Sequence, residues 1–188
     1  MADNALLTAF RFEVRLLQSP QVQAGKQIMP GGGKGQAQEG YTPPSGGKLL
    51  AQGAFQDCSG LEIEMDVQEY QEGGRNNGVV RRVGRAKFAP LVLKRGMFHA
   101  RESGATVDPA LWHWMQRIIN GERPVPRYDG VIQVMSPDGT VRATWMFDRG
   151  LPAKIKGPEL NARSGEVAIE ELTIAHEGLR LLPMEAPK

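Results

Sequence analysis

The stretch Leu61 to Glu69, LEIEMDVQE, alternates apolar and polar side chains without a break. Successive side chains of a β-strand point to opposite faces of a sheet, so a period of two predicts a strand with one apolar and one charged face. We expect the apolar face to lie on the core of the subunit and the charged face to contact water. The apolar row is Leu61, Ile63, Met65 and Val67, and the polar row is Glu62, Glu64, Asp66 and Gln68.

Four other stretches favour β-strands. Ala9 to Leu17 has the same alternation, and Lys87 to Lys94 is an apolar strand interrupted by Pro90. Val131 to Met135 and Thr140 to Phe147 flank a Ser-Pro-Asp-Gly turn, which predicts a β-hairpin. The stretch Glu166 to His176 is compatible with either a helix or a strand, because its apolar spacing fits a helix while its β-branched residues favour a strand.

One helix is predicted, from Pro109 to Asn120. Asp108 suits the N-cap, Pro109 the first helical position and Gly121 the C-terminal stop. Trp114 lies off the predicted apolar stripe, so we expect it to contact another surface. The residues of that stripe are Leu111, Trp112, Met115, Ile118 and Ile119.

The stretch from Gln18 to Gln52 has a different composition. Glycine and proline make up about a third of it, and it lacks apolar periodicity. Such a segment buries too little apolar surface to offset the entropy of ordering it, so we expect a long loop inserted between two strands. With no repeat and no second apolar core, the chain is predicted to be a single domain, residues 1–188, with 18–52 as its inserted loop.

The composition is that of a globular protein, with 40% hydrophobic and 23% charged residues. A formal net charge of +2 is too small to indicate a nucleic-acid partner, and we expect no specific nucleic-acid binding. Cys58 is the single cysteine, so no internal disulfide can form. The N-terminus lacks the pattern of a secretory signal, and no stretch is long and apolar enough to span a membrane. We therefore expect synthesis in the cytoplasm without a signal peptide.

The candidates for chemistry are few. The three carboxylates Glu62, Glu64 and Asp66 could hold a cation or act as an acid–base pair, but their alternation favours a solvated strand face. The three histidines lack metal-ligand spacing, Cys58 has no evident partner histidine, and Gly31 to Gly35 lacks the spacing of a phosphate loop. We predict no catalytic residue, no cofactor-binding residue and no metal site, and therefore a protein that is not an enzyme.

Four motifs in the same order resemble the phage tail tube protein family. Phe55 to Glu64, FQDCSGLEIE, resembles the F-x-x-x-SGLE-x-E opening of that family. Glu69 to Asn76, EYQEGGRN, is similar to its EYxEGGxN motif, and Leu93 to Gly96 matches its LKRG. Glu166 to Leu172 with Ala175 to Leu179 matches its ending. The resemblance covers Phe10 to Leu179 apart from the inserted loop, which departs from the family's pattern.

The family comprises inner tubes of contractile phage tails and of extracellular contractile injection systems, similar in fold to the type VI secretion tube protein. The resemblance implies a mainly β fold, a tail-tube-type barrel or sandwich with one flanking α-helix. It also implies six copies per ring and stacked rings around a lumen. The implied partners are other copies of the chain, sheath proteins, baseplate or spike proteins, and cargo in the lumen. It also implies assembly into a phage tail-like particle that is released.

Within that family the inserted loop keeps a second role open, a tube-initiating subunit that joins the tube to the baseplate or spike. From another class, a monomeric β-rich module could use the Gly/Pro-rich loop to bind a partner. For a tube subunit, the residues predicted to face the lumen are Glu62, Glu64, Asp66 and Gln68. The turn that follows is predicted to mediate ring stacking, through Glu72, Gly73, Gly74, Arg75, Asn76 and Gly78.

Overall fold

In a computed structural model of the chain, the structure describes residues 7, 11–20, 48–71, 73–74, 78–97, 106–161, 163 and 165–182. These residues form ten β-strands and one α-helix. In chain order they are β1 (Phe12–Gln18), β2 (Leu49–Ala54), β3 (Asp57–Ser59), β4 (Ile63–Tyr70), β5 (Val80–Phe88), β6 (Leu91–Gly96), α1 (Ala110–Ile119), β7 (Tyr128–Met135), β8 (Val141–Lys156), β9 (Ile169–Ala175) and β10 (Gly178–Leu182).

The long strand β8 belongs to two sheets. Its first part pairs with β7 and β10, and β7 continues through β1 to β2; we call this sheet A. Its last part pairs with β9, which continues through β6 to β3; we call this sheet B. β10 and β9 pair with successive parts of β8, so β8 passes from sheet A to sheet B. All these pairings are antiparallel, and within the described residues the path from β2 to β3 is open.

The core lies between the two sheets. Alternate residues of β1 and β7 meet alternate residues of β6 and β9 in one cluster of fully buried side chains, as expected where one face of each sheet is covered. Gly130 is required within sheet A, because a Cβ there would lie 1.9 Å from the Phe147 ring. The strand residues that are at most 2% exposed are Val14, Leu16, Leu91, Leu93, Tyr128, Ile132, Met146, Phe147, Glu170, Leu172 and Ile174.

Helix α1 contacts β8 and β2. The N-cap is Pro109 and not Asp108 as predicted, although the Asp108 carboxylate accepts a hydrogen bond from the Ala110 N–H at the start of the helix. Gly121, with a φ of +82°, follows the C-cap Asn120. Trp114 is fully buried: its indole N–H donates to the Pro126 carbonyl at 2.9 Å, and its ring lies edge-on to Tyr128. The prediction that Trp114 contacts another surface is therefore wrong, and it is Ile119 at the end of the stripe that is exposed.

The mainly β fold with one helix is confirmed among the described residues, as are the predicted hairpin (now β7–β8) and the strand β1. The sheets do not close into a barrel. The ambiguous stretch Glu166 to His176 contains strand β9. Lys87 to Lys94 is the junction of two strands instead of one, because β5 ends at Phe88 and β6 begins at Leu91.

The bounds of the inserted loop also change. Gln18 is the last residue of β1 and pairs with Tyr128 of β7, and β2 begins at Leu49, so that Gln52 pairs with Arg15 of β1. Both ends of the predicted loop are therefore strand residues. Backbone hydrogen bonding to a neighbouring strand overrides the weak apolar pattern of Leu49 to Gln52. Residues 21–47, the rest of that loop, lie outside the described residues.

Candidate assembly surface

β4 and β5 form a two-stranded sheet of their own, which we call the assembly hairpin (residues 63–88). It leaves the body between β3 and β6, where the Ala89 N–H donates to the Glu62 carbonyl. Gly60 has a φ of +87°, and a Cβ there would lie 2.1 Å from the Pro90 carbonyl oxygen. This close approach requires glycine at position 60. It holds together the segment before β4 and the segment after β5, which form the root of the hairpin.

One face of the assembly hairpin is apolar. Residues directly opposite each other in an antiparallel pair share a face, and here Ile63 pairs with Phe88, Met65 with Ala86 and Val67 with Val83. The exposed fractions are 53% for Ile63, 46% for Met65, 58% for Val67 and 76% for Val83. The expectation that this row lies on the core of its own subunit is wrong. The hairpin lies outside the two-sheet body, so none of the described elements forms a second layer over the side on which alternation places apolar residues.

The opposite face is polar, and it holds the residues predicted to face a lumen. Gln68 lies opposite Arg82, and Glu64 lies opposite Lys87. Lys87 Nζ donates to Asp66 Oδ1 at 2.7 Å, which raises the pKa of the Lys87 ammonium. All four predicted residues are accessible, with Asp66 the least exposed: Glu62, Glu64, Asp66 and Gln68.

The row of side chains on β4 alone is acidic, but the face as a whole carries both positive and negative charges. β5 adds the bases Arg82 and Lys87, and the Arg82 guanidinium lies 5.2 Å from the centre of the Tyr70 ring. The two strands are locally irregular between Met65 and Val67, where a Cβ on Gly84 would lie 2.9 Å from Asp66. The sequence shows that β5 is rich in basic residues beside the acidic stretch of β4, but only the pairing register places Arg82 and Lys87 on the same face as the β4 carboxylates.

The turn predicted to stack rings connects Tyr70 to Val80 at the end of the hairpin away from its root. Gly73 and Gly74 lie in this turn, and Gly74 has a φ of +89°. Gly73, Gly74 and Gly78 are exposed, and a Cβ on any of them would have no atom within 4 Å. The other predicted stacking residues, Glu72, Arg75 and Asn76, lie outside the described residues.

His176, between β9 and β10, contacts the root of the hairpin. Its ring centre lies 5.6 Å from that of Phe88 and 5.7 Å from that of Phe147 in the core. Its Nε2 lies 3.0 Å from the Ala89 carbonyl oxygen. Burial lowers the pKa of His176, so the neutral imidazole is favoured in this position.

A buried ion pair connects sheet B to the helix. Arg95 on β6 donates to the Glu170 carboxylate on β9 at 2.6 Å, and Trp112 on α1 donates to the other oxygen of Glu170 at 2.9 Å. Glu170 is 1% exposed. Arg95 also contacts Asp108 just before the helix at 3.5 Å. Both charges are paired and hydrogen-bonded, which is the condition for burying them at tolerable cost.

The remaining candidates for chemistry gain little from the structure. Cys58 is partly buried, and burial raises its pKa to about 11, so its thiol stays protonated at neutral pH. Gly31 to Gly35 and His99 lie outside the described residues. Among the residues described, no three His, Cys, Asp or Glu side chains are grouped as a metal site would require. None of the helices in that part of the chain is long and apolar enough to cross a membrane.

Comparisons with solved structures support the fold. A chain of the anti-feeding prophage baseplate aligns with a TM-score of 0.66 and 22% identity, covering 95% of this chain and 97% of that one. A chain of the PVC extracellular contractile injection system, in its extended sheath–tube complex, gives 0.65 and 18%, covering 97% and 95%. The anti-feeding prophage cap gives 0.65 and 20%, covering 98% and 95%. At these identities the likeness concerns the fold alone.

A type six secretion system protein aligns with a TM-score of only 0.40 over 64% of the chain, too low to support an argument. A comparison with curated protein sequences found no match. The sequence family described as T4-like virus tail tube protein gp19 matches residues 8–180, nearly the whole chain. The four motifs, the two-sheet fold and this match agree: the chain belongs to the T4-like virus tail tube protein family.

Proposed function

We propose that the chain is the structural subunit of the inner tube of a contractile, phage tail-like injection particle. Six copies close into a ring, and rings stack around a lumen. The observation that carries this proposal is the assembly hairpin, which exposes an apolar face built from Ile63, Met65, Val67 and Val83. The role needs no catalytic residue and no cofactor.

The hairpin supports association because it has little to hold it in place within one chain. A two-stranded sheet without a second layer is at best marginally stable in water. Its strands pair only with each other among the described strands, and its apolar side chains are about half exposed or more. A neighbouring copy that covers this face removes it from water. Because the covering surface differs from the hairpin, the contact is head-to-tail, which is the kind that closes into rings.

The polar face then becomes part of the lumen wall. If a neighbour covers the apolar face, the side with Glu62, Glu64, Asp66 and Gln68 is left to water. Lys87 and Arg82 on the same face balance these carboxylates. The wall proposed here is therefore hydrophilic and mixed in charge, so that it offers a passing cargo neither a strong attraction nor an apolar surface.

The glycine turn is the proposed contact between rings. It lies at the free end of the hairpin, and Gly73, Gly74 and Gly78 allow close backbone approach. Glu72 and Arg75 supply opposite charges that would fix the register between rings. We expect Arg75→Glu to leave folded rings that fail to stack, measured as tube length by electron microscopy. Full-length tubes from this variant would place the joint elsewhere.

The proposed partners follow from the particle type. The structural neighbours are named as parts of a baseplate, of a sheath–tube complex and of a tube-terminating cap. By analogy, this chain would contact sheath proteins outside the tube, baseplate or spike proteins at its end, and cargo within it. It would be made in the cytoplasm and assembled there into a particle that is later released.

The test is native mass spectrometry with electron microscopy of the purified chain at increasing concentration. Hexamers and longer stacks are expected. Met65→Glu, on the apolar face, should stay a folded monomer, while Glu64→Gln, on the opposite face of the same strand, should assemble. A strict monomer at all concentrations would contradict the proposal and favour the binding module. Single hexameric rings that never lengthen would favour the tube-initiating subunit.

A further inference from the structure

A cavity of about 330 Å³ lies at one end of sheet A, where β1 ends and β7 begins. Three arginines from three separate segments line it: Arg117 in the last turn of α1, Arg127 just before β7 and Arg149 in β8. We call it the arginine cavity. None of its described lining residues belongs to the assembly hairpin, so the cavity is separate from the surface that carries the proposed function.

We propose that the arginine cavity binds a single carboxylate group, supplied either by an acidic side chain of a protein partner or by a small free acid. A guanidinium suits this ligand, because its planar fork of N–H donors matches the two oxygens of a carboxylate. The volume of the cavity is near the lower end of the range for small-molecule sites, which fits one side chain or one small acid.

Arg149 is held in place through its backbone. Its φ is +53°, a conformation that residues other than glycine adopt uncommonly. The buried Asp129 carboxylate accepts hydrogen bonds from the Arg149 N–H at 2.8 Å and from the Ser19 hydroxyl at 2.5 Å. Arg127 Nη1 donates to the Arg149 carbonyl at 3.0 Å. An uncommon backbone conformation that several neighbours fix is a feature of ligand sites, where it sets the direction of a side chain in advance.

Arg127 and Arg149 share one carboxylate and keep donors for another. Arg127 Nη1 lies 2.6 Å from one oxygen of Glu177, and Arg149 Nε lies 2.8 Å from the other. Within the described residues, no hydrogen bond is made by Nη2 of Arg127 or by either terminal nitrogen of Arg149. Because a guanidinium has five N–H donors, the two side chains can accommodate a second acceptor beside Glu177.

The charges at the cavity favour a ligand with one negative charge. Arg117 contacts both carboxylate oxygens of Glu122, so this pair is neutral as a unit. Arg127 and Arg149 together carry two positive charges against the one negative charge of Glu177, and Asp129 is 6% exposed and not among the lining residues. A carboxylate matches the remaining charge better than a phosphate group, which carries nearly twice as much.

The wall beside the arginines is apolar. It contains Pro124, Val125 and Pro126, and the two prolines offer no backbone N–H to a ligand. Such a wall contacts the short hydrocarbon stem of an acid while the guanidinium groups hold its carboxylate. We therefore expect an acid with a stem of a few carbons to bind more tightly than acetate.

The test is isothermal titration calorimetry of the full chain with butyrate at low ionic strength, where charges are least screened. We expect saturable binding of one butyrate per chain. Arg149→Gly removes the guanidinium while glycine accepts the positive φ, and it should weaken binding by at least about tenfold, the loss expected for hydrogen bonds to a charged group. Arg127→Met should do the same, and circular dichroism checks that both variants are folded.

The matched control is Arg142→Met, which removes the same charge near the β7–β8 turn at the other end of sheet A. Its affinity for butyrate should equal that of the wild type. Absence of saturable binding to the wild type, or an equal loss in Arg142→Met, would overturn the proposal. Inorganic phosphate that binds more tightly than butyrate would overturn the choice of a carboxylate.

A peptide distinguishes the two sources of the carboxylate. N-acetyl-Ala-Glu-Ala-amide presents one glutamate side chain without terminal charges, and its affinity is compared with that of butyrate. Tighter binding of the peptide would support an acidic side chain of a protein partner, and tighter binding of butyrate would support a small free acid. Neither result depends on ring formation, so this proposal and the proposed function can fail independently.

Discussion

Strands β1 and β4 have the same pattern of alternating apolar and polar residues but end in different surroundings. In β1, Val14 and Leu16 are fully buried between the two sheets. In β4, Met65 is 46% exposed and Val67 is 58% exposed. Both strands have antiparallel partners, so hydrogen bonding does not explain the difference. In the part of the chain that the structure describes, β1 has a second layer over its apolar face and β4 does not.

The comparison shows that two questions about an apolar strand face are separate: which side of the sheet is apolar, and what covers that side. Alternation determines which side of a sheet is apolar, because side chains alternate with a period of two. It does not determine whether the layer that covers this side comes from the same chain or from another. A well-ordered apolar row on an otherwise uncovered hairpin is a feature of an interaction surface. Among the described residues, the body covers its apolar strand faces within one chain, whereas the proposed function requires another copy to cover the apolar face of the hairpin.

The largest effect is expected in the body, at the buried ion pair. Glu170→Leu should destabilise the chain by about 3–5 kcal/mol, because it leaves the Arg95 guanidinium buried with only the more distant Asp108 as a partner. Urea unfolding measures the change in the free energy of unfolding. The double variant Arg95→Met/Glu170→Leu should recover much of the loss. An unchanged free energy for Glu170→Leu would show that the pair does not stabilise this fold.

The direct test of the comparison is a matched pair of truncations. Leu16→Ala removes a fully buried side chain and should cost about 2–5 kcal/mol. Met65→Ala should change the monomer's stability by no more than about 0.5 kcal/mol, since Met65 is exposed before assembly. Urea unfolding below the association concentration measures both. An equal loss from the two variants would mean that the hairpin packs on its own body in solution.

Much of the body follows from local patterns, and the hairpin's role does not. The caps around α1 and the alternation in β1 specify their elements through interactions within a few residues. β2 was missed because LLAQGA has no clear alternation and depends on pairing with β1. The sequence places Arg82 and Lys87 in a basic stretch beside the acidic residues of β4, but their place on the polar face depends on the register of β4 and β5. The contact of His176 with Phe88 joins residues far apart in the chain, and no sequence spacing indicates it.

His176 lies where the two regions meet, and it predicts a pH dependence. Its pKa lies below the usual 6.5, mainly because burial disfavours the imidazolium, although Asp148, paired with Arg180, acts in the opposite direction. The unfolded chain therefore takes up a proton at a higher pH than the folded chain. Stability should fall as the pH decreases below about 6.5 and level off below the folded pKa.

Urea unfolding from pH 8 to pH 5 measures this dependence. His176→Gln should flatten the fall in stability, whereas His113→Gln, on the exposed face of α1, should preserve it. If the free energy of unfolding falls equally with pH in the wild type and in His176→Gln, then His176 is not the group that causes the pH dependence.

The smallest effect is expected on the polar face of the hairpin. Lys87 and Asp66 form an ion pair at 2.7 Å, but their side chains are 58% and 42% exposed. Exposed ion pairs contribute about 0–1 kcal/mol, because water screens the charges and two long side chains lose freedom. Lys87→Met should therefore leave the free energy of unfolding nearly unchanged. It should also leave ring formation intact, since it lies on the opposite face from Met65. A variant that folds but no longer forms rings would place this face in the contact between copies, and the apolar face would then be the one left to water.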